Sequence, residues 1–491
     1  MGRIVKSGGA IGRLAIPLLV QRFIDMSSSS SLSFLSVCEL SDRIAAKELS
    51  PVDLIEACLA EIARQEPQLH AFVDVYADQA RVAAAGAAQA IQSGHRIGPL
   101  HGIPIVLKDL IEIEGRVATG GRAAWHDRRA TQTATLARRL IEQGAIVLGK
   151  THMVEFAIGG WGTNQHMGTP HNPWDLAHAR IPGGSSSGSG VAVASGMAPW
   201  AIGTDTGGSV RLPASWCNLT ALKVSTGRIS THGVLPLSPT LDTPGPMARS
   251  VKDAALLYRA IQGPDPLDRH TLGLPQAAAD APRSAKGLRL ARFPAGERAV
   301  VAPDVLAAYD RSLDEFQRAG AQIVDIDLPY GFDEVAQLNG QIMTTECYAL
   351  VGHLAEDSAS LMDENVRRRV LAGRSVPAYA YFQALQKREK MKAEMRAVFD
   401  GIDALLSPTT ATPALLLEEV DEAGSPGYFT RFANFFDLCA LALPNGATAQ
   451  GLPLSLQIMG KSCNEAAVLA IGQFYQDMTD WHERTPPRTE S

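Results

Sequence analysis

Cysteine is scarce and scattered. The 491 residues hold six, Cys38, Cys58, Cys217, Cys347, Cys439 and Cys463, and no CxxC pair. This argues against a disulfide framework or a zinc site and fits free thiols in a reducing cytoplasm, the expected location. Positive charge is also short: Lys and Arg number 45 against 51 Asp and Glu, a formal net charge of −6. A protein that grips phosphate usually carries a basic surplus, so nucleic acid is not the expected partner. No long apolar run is present. The stretch Ala15 to Val20 is too short and interrupted to span a bilayer, so a soluble chain without a membrane partner is expected. There is no internal repeat, and no GK[ST] ends either glycine-serine loop described below, which excludes a P-loop there.

What remains is an ordinary globular composition, 46% hydrophobic and 20% charged, long enough for one large core or two to three domains. The first 25 residues differ: Arg3, Lys6, Arg13 and Arg22 precede the first acid, Asp25, and serines follow at Ser27 to Ser31. Two readings stand, an organelle transit peptide or an upstream extension to a chain starting at Met26, and the second is favoured. Ser50-Pro51-Val52-Asp53 reads as a helix start with a serine cap, proline in the first turn and an acid at the third position. The apolar run Pro104 to Leu107 predicts a buried strand that delivers Lys108 at its end. A helix over Thr133 to Gln143 and a strand over Ala145 to Leu148 follow, and this alternation predicts an α/β fold with a central sheet.

Residues 159–190 read as loop, Val191 to Ala194 as the start of a small-residue helix, and Asp253 to Ile261 as a helix stopped by Gly263. Residues 264–286 look like a surface connection. A second α/β stretch is predicted from strand Leu288 to Ala291, helix Pro303 to Arg318 and strand Gln322 to Ile326. A polar helix follows over Ala378 to Phe399, its charges at Arg388, Lys390 and Lys392 expected on a solvated face. Core-like sequence returns at Ala404 to Pro408 and Leu452 to Gly460.

The chemistry concentrates between Pro182 and Arg211, PGGSSSGSGVAVASGMAPWAIGTDTGGSVR. Serine is a poor nucleophile until a base takes its proton, and glycine lets backbone N–H groups approach a substrate closely. Lys108 is the best-placed base, provided burial lowers its pKa; pairing with Asp109 is the competing reading. Successive N–H groups from Thr206 through Ser209 could face a developing oxyanion. Asp205 and Arg211 flank that turn and are expected to hold it as an ion pair. Gly184 to Gly188 also fits GxSxG, but a nucleophile elbow needs a strand immediately before it, where a Pro-containing loop is expected. His152, His166 and His171 lack a recognisable zinc spacing, so no metal is assigned. Trp125, Phe156 and Trp161 could line an acyl pocket or simply pack, and the aromatic-rich stretch of Tyr428, Phe429, Phe432, Phe435 and Phe436 is open to the same two readings.

Together the segments GIPIVLKD, LGKTHMVEFAIGG, NPWDLAHARIPGGSSSGSG, GTDTGGSVRLPA, LDTPGPMARSVKDAALL and GLPLSLQIMG, in that order, resemble the amidase signature family. The resemblance runs from about Leu40 to Tyr475 and is densest between His101 and Asp253. It implies a single large α/β domain with a central mixed sheet flanked by helices, over residues 34–480. Residues 265–400 would form a peripheral, partly helical lobe, 1–33 a flexible N-terminal extension and 481–491 a tail. It implies an amidase whose nucleophile is Ser209, with Ser185 bridging to the base Lys108. The N–H groups of Thr206, Gly207, Gly208 and Ser209 would form the oxyanion hole, and the Gly184–Ser185 peptide would be cis. Gly159, Gly160, Trp161 and Ser186 would contact substrate. No cofactor or metal is implied.

The implied partner is a small-molecule carboxylic amide, anilide or carbamate, and the family alone suggests a homodimer. Rival readings are the glutamine-hydrolysing subunit of a tRNA-dependent amidotransferase, or a non-catalytic binding protein that keeps the fold. Departures from the family pattern at Ser187, His152, Asn218, Ala221, Val224 and Ser225 leave the triad intact but block transfer of substrate preference. Ser187 adds a hydroxyl near the triad, with Ser186 as a fallback relay.

Overall fold

The strands expected to carry the chemistry are apolar on both faces, which requires cover on both sides of one sheet. The computed structural model describes residues 1–2, 32–275 and 284–487. Both readings of the N-terminal 25 residues, part of the 264–286 connection and the end of the tail lie outside the described residues.

Among the described residues eleven strands form one mixed sheet. In chain order they are β1 (Phe72–Val75), β2 (Pro104–Lys108), β3 (Ile146–Thr151), β4 (Trp200–Asp205), β5 (Thr220–Lys223), β6 (Thr243–Ala248), β7 (Arg289–Arg292), β8 (Gln322–Val324), β9 (Ala404–Pro408), β10 (Cys439–Ala447) and β11 (Pro453–Gly460). Their order across the sheet is β1-β3-β2-β4-β6-β5-β10-β11-β9-β7-β8. β3, β2 and β4 run parallel, as do β9, β7 and β8, and the strands between are antiparallel. Helices cover the sheet, so it is a single α/β body. Among the described residues no helix is long and apolar enough to cross a membrane.

Local rules explain many boundaries. Ser50 caps the helix Pro51–Leu69 by accepting the N–H of Val52. Proline opens the helix Pro303–Arg318, whose Val305, Tyr309, Leu313 and Phe316 are buried on one face. Gly144, at φ +81, ends the helix Thr135–Glu142 and turns the chain into β3.

Two elements have no counterpart in the sequence reading. Strand β6 contains Pro244 and Pro246, which argue against a central strand. It is tolerated because β5 flanks only Met247 and Ala248. The helix Phe332–Glu356 has no clean apolar stripe: Asn339 and Glu346 are buried, and Gly340 and Gly352 interrupt it. Glu346 explains the burial of one polar side, because it accepts from Ser238 Oγ (2.7 Å), the Thr240 N–H (3.1 Å), Thr240 Oγ1 (2.6 Å) and Tyr381 Oη (2.7 Å). The stretch 265–400 thus supplies both the far edge of the sheet and a helix that ties back to residues 238–240.

The charge run of the helix Ala378–Val398 is solvated only in part. Lys390 is exposed, but Arg388 is buried and donates to the carbonyls of Phe435 (2.7 Å), Asn434 (3.2 Å) and Thr240 (3.2 Å). A guanidinium offers five donors in a fixed fork, so one side chain can close several loop ends at once. Arg388→Met should therefore destabilise the protein by about 2–3 kcal/mol through orphaned carbonyls. Lys390→Met should leave the urea midpoint unchanged. Equal midpoints for the two variants would contradict this account.

Candidate active site

The parallel register sets the site. β2 lies between β3 and β4, with Leu107 opposite Ile202 and Lys108 opposite Thr151. Lys108 therefore emerges at the carboxyl ends of parallel strands, beside the last residues of β4, where α/β proteins usually bind ligands. It is fully buried, and its Nζ donates to Ser185 Oγ (2.7 Å) and Thr204 Oγ1 (2.8 Å). Burial pushes its pKa down to about 7, against the opposing pull of Asp242 and Asp205. Lys108 does not pair with Asp109. That carboxylate instead meets Lys150 (3.3 Å) and accepts the Thr119 N–H (2.9 Å).

Ser185 sits in the loop before the helix Ser187–Ala194, and the Gly184–Ser185 peptide is cis. The segment before it is loop, not strand, so the elbow geometry is absent. Two bonds dock this loop on its neighbour, Gly184 N–H to the Gly160 carbonyl (2.8 Å) and Gly183 N–H to the Trp161 carbonyl (3.2 Å). Ser186 faces away from Lys108. Its Oγ meets the Thr204 backbone, accepting the N–H at 3.3 Å, and its own N–H donates to the Ser209 carbonyl at 3.3 Å. Ser187 Oγ faces the His152 carbonyl at 3.4 Å. Neither hydroxyl meets Lys108, so Ser186 is not placed as a relay.

Ser209 follows a turn that starts at the end of β4. Asp205 Oδ1 accepts the Gly208 N–H (2.8 Å) and Oδ2 the Val210 N–H (3.2 Å). Gly208 has φ +130, and a Cβ there would collide with Thr430, so only glycine serves. Its N–H is already engaged. Of the four N–H groups expected to face an oxyanion, that of Gly208 is thus given to the buried Asp205 carboxylate, which needs donors of its own.

Asp205 and Arg211 are both fully buried and paired twice, Nη2 to Oδ1 at 2.9 Å and Nε to Oδ2 at 3.0 Å. Arg211 also reaches the Thr430 carbonyl (2.8 Å), Gln457 Oε1 (2.6 Å) and Asn434 Oδ1 (2.7 Å). Burial pushes the Asp205 carboxyl up, but Arg211, Asn434 and Lys223 outweigh it and hold the pKa down at about 2.

A cavity of about 260 Å³ opens on this turn, lined by Gly207, Ser209, Gly159 and Gly160 among others. Ser209 is 7% exposed. Trp161 does not line it but stacks on Trp216 at 6.0 Å, and Ser186 is buried behind it. Trp125 packs edge-on against Phe156 at 5.3 Å, away from the cavity lining. Phe429, Phe432, Phe435 and Phe436 are core residues, clustered with Phe332 and one another. His152 is buried, which pushes its pKa down to about 4, and His171 packs on His70.

The chain matches the Amidase family profile over residues 53–469. It belongs to the amidase signature family. The amidase is 33% identical to a glutamyl-tRNA(Gln) amidotransferase subunit of Geobacter metallireducens, over 91% of this chain and 98% of that one. It is 35% identical to a 2-amino-5-chloromuconic acid deaminase of Comamonas testosteroni, over 89% and 94%. Among solved structures it superposes on the native peptide amidase of Stenotrophomonas maltophilia with a TM-score of 0.80 at 29% identity, covering 93% of this chain and 99% of that one. The protein is accordingly an enzyme, a hydrolase of C–N bonds, built on the amidase signature fold.

Sequence reasoning missed several groups around the amidase site. Thr204 shares Lys108 with Ser185; its place at the end of β4, next to GGS, was the available signal. Asp242 accepts from Thr206 Oγ1 (2.5 Å) and from the N–H groups of Leu237 (2.9 Å) and Ser238 (3.0 Å). Burial pushes its pKa up to about 6, against those hydrogen bonds. Arg431, Gly340, Met343 and Thr344 line the cavity from segments with no motif. Conversely, Gly144 to Thr151 has phosphate-loop spacing, yet it runs into β3 and Lys150 is buried against Asp109.

Asp205→Asn, which leaves the Arg211 charge buried alone, should cost about 3–5 kcal/mol of unfolding free energy at neutral pH. The folded pKa of Asp205 lies below its ordinary 3.8, so its contribution is complete above that value and lost as pH falls toward about 2. Urea titrations of both proteins should therefore converge as the pH is lowered through that window. A constant gap would contradict the assignment.

Proposed function

We propose that the protein is a serine amidohydrolase acting through an acyl-enzyme on Ser209, with Ser185 and Lys108 as its proton relay. The observation that carries this is the fully buried lysine held 2.7 Å from Ser185, its pKa near 7, beside a cavity into which Ser209 opens. A neutral amine has two N–H groups and one lone pair. It can donate to Thr204 and still accept the Ser185 proton, while Ser185 accepts one from Ser209 as that oxygen attacks the carbonyl. The N–H groups of Thr206, Gly207 and Ser209 hold the oxyanion. Each such donor is worth about 3–4 kcal/mol in the transition state. Ser185 then returns the proton to the departing nitrogen, which is too basic to leave as an anion. Water enters along the same relay and releases the acid. The substrate is a small carboxylic amide, in keeping with a cavity of about 260 Å³.

A second reading is favoured by the relative from Geobacter metallireducens: a glutamine-hydrolysing amidotransferase component that passes ammonia to partner chains. Purification with partner chains, and turnover of glutamine alone, would select it.

The test is release of ammonia and acid from a panel of aliphatic amides, aryl amides, anilides, ureas and carbamates. Ser209→Ala and Lys108→Met should each lower kcat/KM by about a thousandfold or more, as members of one relay do, with the fold retained by circular dichroism. Ser209→Ala should also abolish labelling by a fluorophosphonate. Because the base works unprotonated, kcat/KM should rise with pH and level off above about 7. A profile flat from acid to alkaline pH would remove Lys108 from the relay.

A further inference from the structure

The cavity that receives Ser209 is lined by two arginines and by no carboxylate among the described residues. One of them is spent. Arg369 pairs with Glu422 through Nη2 and also donates to the Glu422 carbonyl (2.8 Å) and the Ile158 carbonyl (3.3 Å). Glu422 is itself occupied, accepting from Thr163 Oγ1 at 2.7 Å. The other, Arg431, stands in the short helix Thr430–Phe435 and has no ion pair among the described residues. Its guanidinium offers five donors, yet a single one is engaged there, Nη1–H to the Ala336 carbonyl at 3.2 Å. Arg431 is partly exposed and lines the cavity.

Its surroundings are unfinished in the same way. The side chain packs along Gly207 and Gly340, where a Cβ would come within 3.4 Å of it. Asn339 also packs at Gly207, fully buried, with neither its side-chain oxygen nor its nitrogen hydrogen-bonded. Burial and the like charge of Arg369 push the Arg431 pKa down to about 10, and no carboxylate offsets them. A cation and an amide held this way, against the turn that carries the nucleophile, are complementary to a planar anion.

We propose that the substrate is an anionic amide, the half-amide of a small dicarboxylic acid, whose free carboxylate is taken by Arg431 while its amide carbonyl faces Ser209. Identification of the reacting end rests on the reading of Ser209 given above; recognition of the carboxylate by Arg431 does not. The lack of a lining carboxylate among the described residues has a second consequence. The α-ammonium group of glutamine would enter beside the charge of Arg431 with no lining carboxylate to meet it, so glutamine is a poorer ligand than glutaramate, which lacks only that group.

The experiment is calorimetric titration of the full-length Ser209→Ala protein, which keeps the cavity but not the nucleophile. The ligands are malonamate, succinamate, glutaramate and adipamate, each beside its neutral diamide, and glutamine. At least one half-amide should bind about tenfold more tightly than its diamide, as expected of one charge-assisted bidentate contact, and glutaramate more tightly than glutamine. Adding Arg431→Met should erase the preference. Arg431→Lys, which keeps charge but not the fork, should retain part of it and controls for folding.

The proposal is overturned if no half-amide binds better than its diamide, or if the preference survives Arg431→Met. In wild-type kinetics it is overturned if Arg431→Met slows neutral and anionic amides equally, which would make the arginine a stabiliser of the oxyanion instead. If the preference is found but the wild-type protein neither hydrolyses amides nor takes the fluorophosphonate, the catalytic reading falls and the anion site stands.

Discussion

The buried pair of Asp205 and Arg211 is the constraint on which the site depends. Two full charges lie without solvent contact, and such a pair is tolerable only when every remaining lone pair and N–H finds a partner. Satisfying it recruits the N–H groups of Gly208 and Val210, the side chains of Asn434 and Gln457, and the Thr430 carbonyl. These come from the turn after β4, from β11 and from the helix Thr430–Phe435. Breaking any one contact leaves a buried donor or acceptor unpaired, so the pair fixes the turn bearing Ser209 relative to the far half of the sheet. Thr430 closes the same connection from the other side, donating to the Gly207 carbonyl at 2.7 Å.

The same helix carries Arg431 to the cavity, so the lock that shapes the Ser209 turn also places the proposed anion-binding group. The electrostatics around Lys108 are opposite in kind. There burial wins over nearby carboxylates, because Asp205 is already neutralised by Arg211 and Asp242 is itself pushed toward its neutral form. An amine with two hydroxyl partners and no ion pair is the outcome. One buried charge is kept by pairing and another is suppressed by isolation, and the two stand at the ends of the neighbouring parallel strands β4 and β2.

Much of the fold was legible because local physics suffices for it. The serine cap and proline of Pro51–Leu69, the amphipathic face of Pro303–Arg318 and the apolar run of β2 each carry their signal within a few residues. The helix Phe332–Glu356 was not legible. Its polar Glu346 and Asn339 carry no local signal for burial: residues 238–240 supply partners for one, and the other packs at Gly207 on the cavity wall. Strand β6 was hidden by its prolines, whose cost depends on how far β5 extends beside them. Arg388 read as solvated for the same reason: carbonyls 46 and 47 residues away take its donors.

By itself the sequence determined the family, the α/β class, and the identity of Lys108, Ser185 and Ser209 as the groups to watch. Those follow from residue type and order, which do not change on folding. Only the tertiary structure decided that Lys108 meets Ser185 rather than Asp109, that Ser186 turns away, and that the Gly208 N–H is taken. It also decided that Trp161 packs outside the cavity while Arg431 faces into it. Each of these is a competition among groups distant in the chain for one buried partner, and burial, not spacing, sets which contact wins.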